Sequence, residues 1–173
     1  QRYASSWAHI AGPYTAALVK GSAALRMNHR EPFRVPETGA AGAKAATLWV
    51  RDRLQRADAL EARWRQGRPL PNLVTTNDLN CTDKVHLLRW LLDAAGIEHR
   101  VAAVRSSAFA PMDAGLPVPG AFDGAAIFVP AESLWLDPAC RSCAPGQVRE
   151  SYRGALGLLL PAGAGAAPVR LPE

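Results

Sequence analysis

The stretch from Thr82 to Gly96 constrains this fold more than any other part of the chain. Val85, Leu88, Leu91, Leu92 and Ala95 recur at three- and four-residue steps, and Gly96 stands where a left-handed residue ends a helix. The spacing predicts an amphipathic helix buried on one side. Asp78 or Asn80 is placed to cap its start, and Asp83 in the first turn suits the positive end of the helix dipole. Cys81 therefore falls at a helix N-terminus. Beyond Gly96 the pattern changes to short strands, Val101–Arg105, Ala125–Val129 and Leu134–Leu136, the last ended by Asp137-Pro138. A one-sided helix followed by a small antiparallel sheet reads as an α+β fold.

Other segments fit around this unit. Trp7, Ile10, Tyr14, Ala17 and Leu18 predict a flanking helix from Trp7 to Leu25, interrupted or bent near Gly12-Pro13. Pro32, Pro36 and Gly39 break any period between Met27 and Gly42, which reads as a surface loop. A second helix is expected from about Ala43, with Ala46, Val50, Leu54 and Ala57 on one stripe. Leu60 and Trp64 extend it toward Gly67 and the breakers Pro69 and Pro71. The proline- and glycine-bearing stretch Ser106 to Gly120 is a long loop of the kind that often carries function. Pro161–Pro168 consists of Ala, Gly and Pro, a linker composition. The expected organisation is one domain over 1–160, of which 1–40 is a flanking helix and loop. Residues 161–173 read as a linker or the start of a next segment.

A chain of 173 residues that is 49% hydrophobic can bury one substantial core. No apolar run approaches the roughly 20 residues of a membrane-spanning helix. The net charge of +5 is spread, because arginines such as Arg51, Arg53, Arg56, Arg63 and Arg65 alternate with Asp52, Asp58 and Glu61. That is a solvated helix face, and with no zinc module or aromatic stacking platform it argues against a nucleic-acid partner. No cofactor motif and no complete set of metal ligands is evident.

At a helix N-terminus unpaired backbone N–H groups favour a thiolate, the usual way to make a cysteine nucleophilic. The competing reading of Cys81 is a buried, inert hydrophobe. His86 follows it by five residues, at about 3.6 residues per turn well over a quarter-turn away, and is poorly placed as its base.

The order of motifs is specific. Asn80-Cys81-Thr82-Asp83-Lys84, followed by Leu91-Leu92-Asp93-Ala94-Ala95-Gly96, resembles the nucleophile helix of bacterial transglutaminase-like proteins, which opens Gly-Asp-Cys-Lys-Asp-Lys. Phe122-Asp123-Gly124 before an apolar strand is similar to that family's Phe-Asn/Asp-His, Leu134-Trp135-Leu136-Asp137-Pro138 to its Trp-Leu-Asp-Pro turn, and Cys143-Ala144-Pro145-Gly146 to its Cys-Pro-Phe-Gly stretch. With Trp7, Tyr14, the helix around Trp49-Val50-Arg51-Asp52 and the Leu158-Leu159-Leu160-Pro161 exit, the likeness spans nearly the whole chain.

The resemblance implies a papain-like core, its nucleophile helix packed on a small antiparallel sheet with flanking helices. It also implies a place in a larger periplasmic or secreted protein with a β-rich domain before this one. In the family a Cys–His–Asp triad transfers acyl groups: the imidazole takes the thiol proton and later protonates the leaving amine, and the acid orients the ring. Here the nucleophile position is Cys81, the acid position Asp137, and the histidine position is Gly124. Leu79, Asn80 and Thr82 also depart from the family pattern. A hairpin centred between Ala131 and Glu132 would set Asp137 opposite about Ala126, near Gly124 on the neighbouring strand. Asp123 points to the opposite face and is no substitute. His9, His29 and His99 read as surface residues, and Asp137-Pro138 also has an ordinary reading as a strand-ending turn.

Without an imidazole the thiol loses general acid–base help worth about 10²–10⁴ in rate. The expected function is therefore a catalytically inactive or impaired binding or scaffolding module of a larger envelope protein, one whose ligand could be a peptide or protein. The alternative is an active cysteine peptidase, amidase or transglutaminase that takes its base from elsewhere. Cys140 and Cys143 form a Cys-x-x-Cys pair whose uses are a redox site, half a zinc site or a local disulfide, the last being the simplest in the cell envelope.

Overall fold

The computed structural model describes residues 6–23, 34–52 and 79–173. Three helices stand among them, α1 (Trp7–Ala23), α2 (Gly39–Asp52) and α3 (Cys81–Ala94). Five strands follow, β1 (Arg100–Arg105), β2 (Gly124–Val129), β3 (Leu134–Leu136), β4 (Leu156–Leu160) and β5 (Val169–Arg170). They form one antiparallel sheet in the order β3-β2-β1-β4-β5, and the fold is mixed α+β. Among the described residues no helix is long and apolar enough to cross a membrane.

Strand alternation divides the interior in two. Val101 and Ala103 of β1, Ala125, Ile127 and Val129 of β2, Leu136 of β3, and Leu158 and Leu160 of β4 face the helices. There they meet Leu87, Leu88, Leu91 and Leu92 of α3, Val50 of α2 and Ile10 of α1, all but Ile10 essentially without exposure. The other parity, Ala102, Val104, Ala126 and Trp135, packs under Val148, Tyr152 and Leu171, which come from the chain after β3.

The β2–β3 hairpin turns through a short 3₁₀ segment, Pro130–Glu132, and Ser133 at φ 48°. Its pairing of Ile127 with Leu136 and Val129 with Leu134, carried one step further, sets Asp137 opposite Ala126, the register expected from the hairpin centre. Helix α1 runs without interruption through Pro13, which lies on its exposed side; of the interruption or bend expected there, the interruption does not occur. The stripe of α2 is Gly42, Ala43, Ala46, Thr47 and Val50; its expected continuation through Leu54, Ala57, Leu60 and Trp64 lies outside the described residues, as do Asp78 and His29.

Strands β4 and β5 go beyond the three expected. Leu156–Leu160 is apolar without alternation, because both faces of β4 are covered: Leu158 and Leu160 join the helix-side core, and Leu159 packs against the cluster on the other side. The Ala/Gly/Pro stretch that reads as a linker leads into Val169–Arg170, which pairs with Gly157 and Leu156, and Leu171 beyond it is buried. Gly157 makes this approach possible, since a Cβ there would come within 2.7 Å of Leu171 Cδ1. The long loop after β1 is pinched at its base: the Asp123 carboxylate accepts the Ser106 backbone N–H at 2.7 Å and its hydroxyl at 2.5 Å. Asp123 is thereby occupied structurally.

Candidate functional site

The start of α3 is closed by a capping box. Asn80 Oδ1 accepts the Asp83 N–H at 2.9 Å, and Asp83 Oδ2 accepts the Asn80 N–H at 3.2 Å. This fixes Asn80 as the cap, rather than Asp78, and makes Cys81 the first residue of the helix, a free and partly exposed thiol. Lys84, one turn on, is almost completely buried and donates from Nζ to the Arg51 carbonyl at 2.7 Å. Burial pushes its pKa down to about 8, Arg141 adds to the effect, and Cys81 and Asp52 oppose it.

Asp137 leaves the end of β3 with its side chain fully buried. It accepts the Ala139 N–H at 3.2 Å, and Arg149 grips it from the far end of the following segment. Arg149 donates from Nε to Oδ2 at 2.7 Å, from Nη2 to Oδ1 at 2.6 Å and from its backbone N–H to Oδ2 at 3.2 Å. Two parallel bonds from one guanidinium to one carboxylate make a strong, directional pair. The remaining terminal nitrogen, Nη1, points to Cys81 Sγ at 3.8 Å. The acid and the thiol singled out in the sequence are thus brought together, with an arginine spanning the gap between them.

Tyr152 completes the cluster. The Arg149 guanidinium lies 4.5 Å above its ring, and a Cβ built on Gly124 would overlap its hydroxyl. The space beside Gly124 is therefore filled by a phenol. Burial raises the Tyr152 pKa well above the ordinary phenol value, with Arg149 opposing. For Arg149 burial works against the charge, but the hydrogen bonds and charge of Asp137 outweigh it, and the pKa is raised. The guanidinium stays protonated; it can donate to Asp137 and to a sulfur, but cannot take a proton from one.

No imidazole makes a hydrogen bond to Cys81 among the described residues. The buried Nε2 of His86 has no hydrogen-bond partner, and burial, reinforced by Arg89 against Asp83, lowers its pKa to about 4. His99 Nδ1 lies 2.9 Å from the Ile97 carbonyl and its Nε2 3.9 Å from Asp93, and His9 is exposed.

Cys140 and Cys143 are joined in a disulfide, Cα–Cα 5.5 Å, inside the segment that runs from Asp137 to Arg149. Arg51 Nη1 donates to the Cys143 carbonyl at 3.2 Å and ties that segment to α2. The described residues hold no group of three metal-ligating side chains.

Sequence reasoning missed Arg149 and Tyr152. For Tyr152 the one signal was Gly124 itself, a glycine at the head of a strand where the phenol closes the space; Arg149 had none. Comparison with protein-family models, curated proteins and solved structures finds no match to this chain.

Proposed function

We propose that this chain is a transglutaminase-like, papain-fold module in which the nucleophile and acid positions persist while the site has been rebuilt for binding or scaffolding within a larger envelope protein. The observation that carries the reading is the Asp137–Arg149–Cys81 bridge. Where the family's mechanism needs a group that accepts and returns a proton, the described residues set beside the thiol one that only donates, which argues against general acid–base catalysis there. The motif order around Cys81, Gly124 and Asp137, and a helix starting at Cys81 that packs on an antiparallel sheet, support the family assignment. The Cys140–Cys143 disulfide fits an oxidising compartment.

The test is turnover. Purified protein is incubated with a glutamine-containing peptide and a primary amine, and separately with the peptide alone, while released ammonia and cleavage products are followed. The expected result is no release above that of Cys81→Ser. Release that disappears in Cys81→Ser would overturn the reading in favour of an enzyme that takes its base from elsewhere.

A further inference from the structure

Away from the Cys81 cluster, an open groove of about 290 Å³ runs between the first part of the long loop and the start of β4. Arg105, Arg153 and Arg170 line it, and Phe109, Pro111 and Met112 supply an apolar wall. None of the three arginines forms an ion pair among the described residues, whose pairs are made by Arg51, Arg89, His99 and Arg149.

Two of the three guanidiniums are nevertheless held in place. Arg105 donates to the carbonyls of Ala121 at 2.9 Å and Ala110 at 3.2 Å and lies 4.8 Å over the Phe109 ring. Arg170 donates to the Gly154 carbonyl at 2.6 Å. Carbonyls orient these cations without neutralising them, so part of the ordering cost of binding an anion is met beforehand. Phe109 is 45% exposed beside them, a large apolar surface next to concentrated positive charge. The Glu173 side chain lies at the rim, where its Oε1 would be 2.6 Å from a Cβ on Gly154.

We propose that the groove docks a peptide segment of a partner protein in which an Asp or Glu side chain sits beside a large apolar one. The carboxylate bonds to Arg153 and Arg170, and the apolar side chain packs on Phe109 and Met112. Glu173, which forms no ion pair with these arginines, adds a like charge at the rim. The groove shares no lining residue with Cys81, Asp137, Arg149 or Tyr152, so this proposal stands or falls apart from the one above.

The probe is a fluorescently labelled peptide, acetyl-Glu-Leu-Glu-Phe-Glu-amide, titrated with the whole chain and compared with its all-Gln counterpart. Saturable binding is expected for the Glu peptide. It should weaken about tenfold in Arg153→Gln/Arg170→Gln and on raising salt from about 50 to about 300 mM, as surface charge pairing requires. The Gln peptide should bind about tenfold less tightly, and Glu173→Gln should tighten the Glu peptide a few-fold, by removing a like charge. Arg153→Gln alone guards against a folding artefact, because that exposed side chain makes no hydrogen bond among the described residues; it should carry a clear part of the loss. No saturation below about 1 mM, equal affinity for the two peptides, or affinity unchanged in both arginine variants would overturn the proposal.

Discussion

The two faces of the sheet do different work and are built differently. The helix-side face is a single apolar core in which Leu87, Leu88, Leu91 and Leu92 of α3 meet Ile127, Leu136 and Leu158 with essentially no exposure. The opposite face is shallow: Ala102, Ala126 and Gly124 leave space on the strands, and Tyr152, Val148 and Leu171 fill it from above. On that second side lie Tyr152, the guanidinium stacked on it, and Asp137. The contrast teaches that side-chain volume removed from strands is replaced here by parts of a connecting segment, and that segment brings the charges. One face holds the main core, and the other holds the charged cluster.

Removing volume from the helix-side face should have the largest effect. Leu88→Ala deletes a fully buried side chain in a region closed on all sides, and about 3–4 kcal/mol of stability is expected to go, read as the shift in urea midpoint. A loss below about 1 kcal/mol would mean that this core collapses around the cavity and is softer than its burial implies.

Acid should strain the same side through His86. Its pKa in the fold is about 4 against 6.5 in the unfolded chain, so the unfolded state takes up a proton first and stability falls as pH drops from about 6.5 toward 4. The loss expected over that window is about 3 kcal/mol. His86→Phe, which cannot protonate, should flatten the pH dependence over the same interval. An unchanged slope would assign acid sensitivity to other groups.

The second face should be less costly to damage. Asp137→Asn keeps the shape but leaves Arg149, whose side chain is 25% exposed, with a neutral partner. Because the guanidinium can turn to water, about 2 kcal/mol is expected, below the 3–5 kcal/mol of a fully buried pair. Gly124→Ala should cost about 1–2 kcal/mol, since the new methyl overlaps the Tyr152 hydroxyl in a closed space. In a Tyr152→Leu background the same change should cost clearly less. Additive costs would show that Tyr152 does not fill the space beside Gly124.

How much of this was legible follows from the range of each signal. Helix α3 could be read because Val85, Leu88, Leu91, Leu92 and Gly96 express one local period, and the Asp137–Ala126 register because a short hairpin has a countable centre. The pairing of Cys81 with Asp137 was carried by motif order. Arg149 had no signal: its contact with Cys81 joins residues 68 apart in sequence and depends on the path of the segment from Asp137 through the Cys140–Cys143 disulfide. Strand β4 was hidden for another reason, since an apolar run buried inside a sheet shows no alternation. The two residues of β5 are too few to carry any pattern, and their pairing rests on the room that Gly157 leaves for Leu171.

The smallest effect expected is also the most direct probe of the bridge. Arg149 Nη1 stands 3.8 Å from Cys81 Sγ, so a positive charge lies where any reagent must approach the sulfur. Iodoacetate carries a negative charge and iodoacetamide none, yet both alkylate the same thiolate. The ratio of their rates therefore cancels the thiolate fraction and reports the local field. Replacing Arg149 with Gln should lower the iodoacetate-to-iodoacetamide ratio about two- to five-fold, as expected for one charge a few ångströms away under partial solvent screening. Arg149→Lys should retain most of the ratio while losing the bidentate grip on Asp137, because an ammonium carries the charge without the planar fork. The stability of Arg149→Lys should thus fall nearly as far as that of Arg149→Gln, while its rate ratio stays near that of the parent. If both variants leave the ratio untouched, the guanidinium acts on Asp137 and Tyr152 alone, and the thiol is not part of the second face's chemistry.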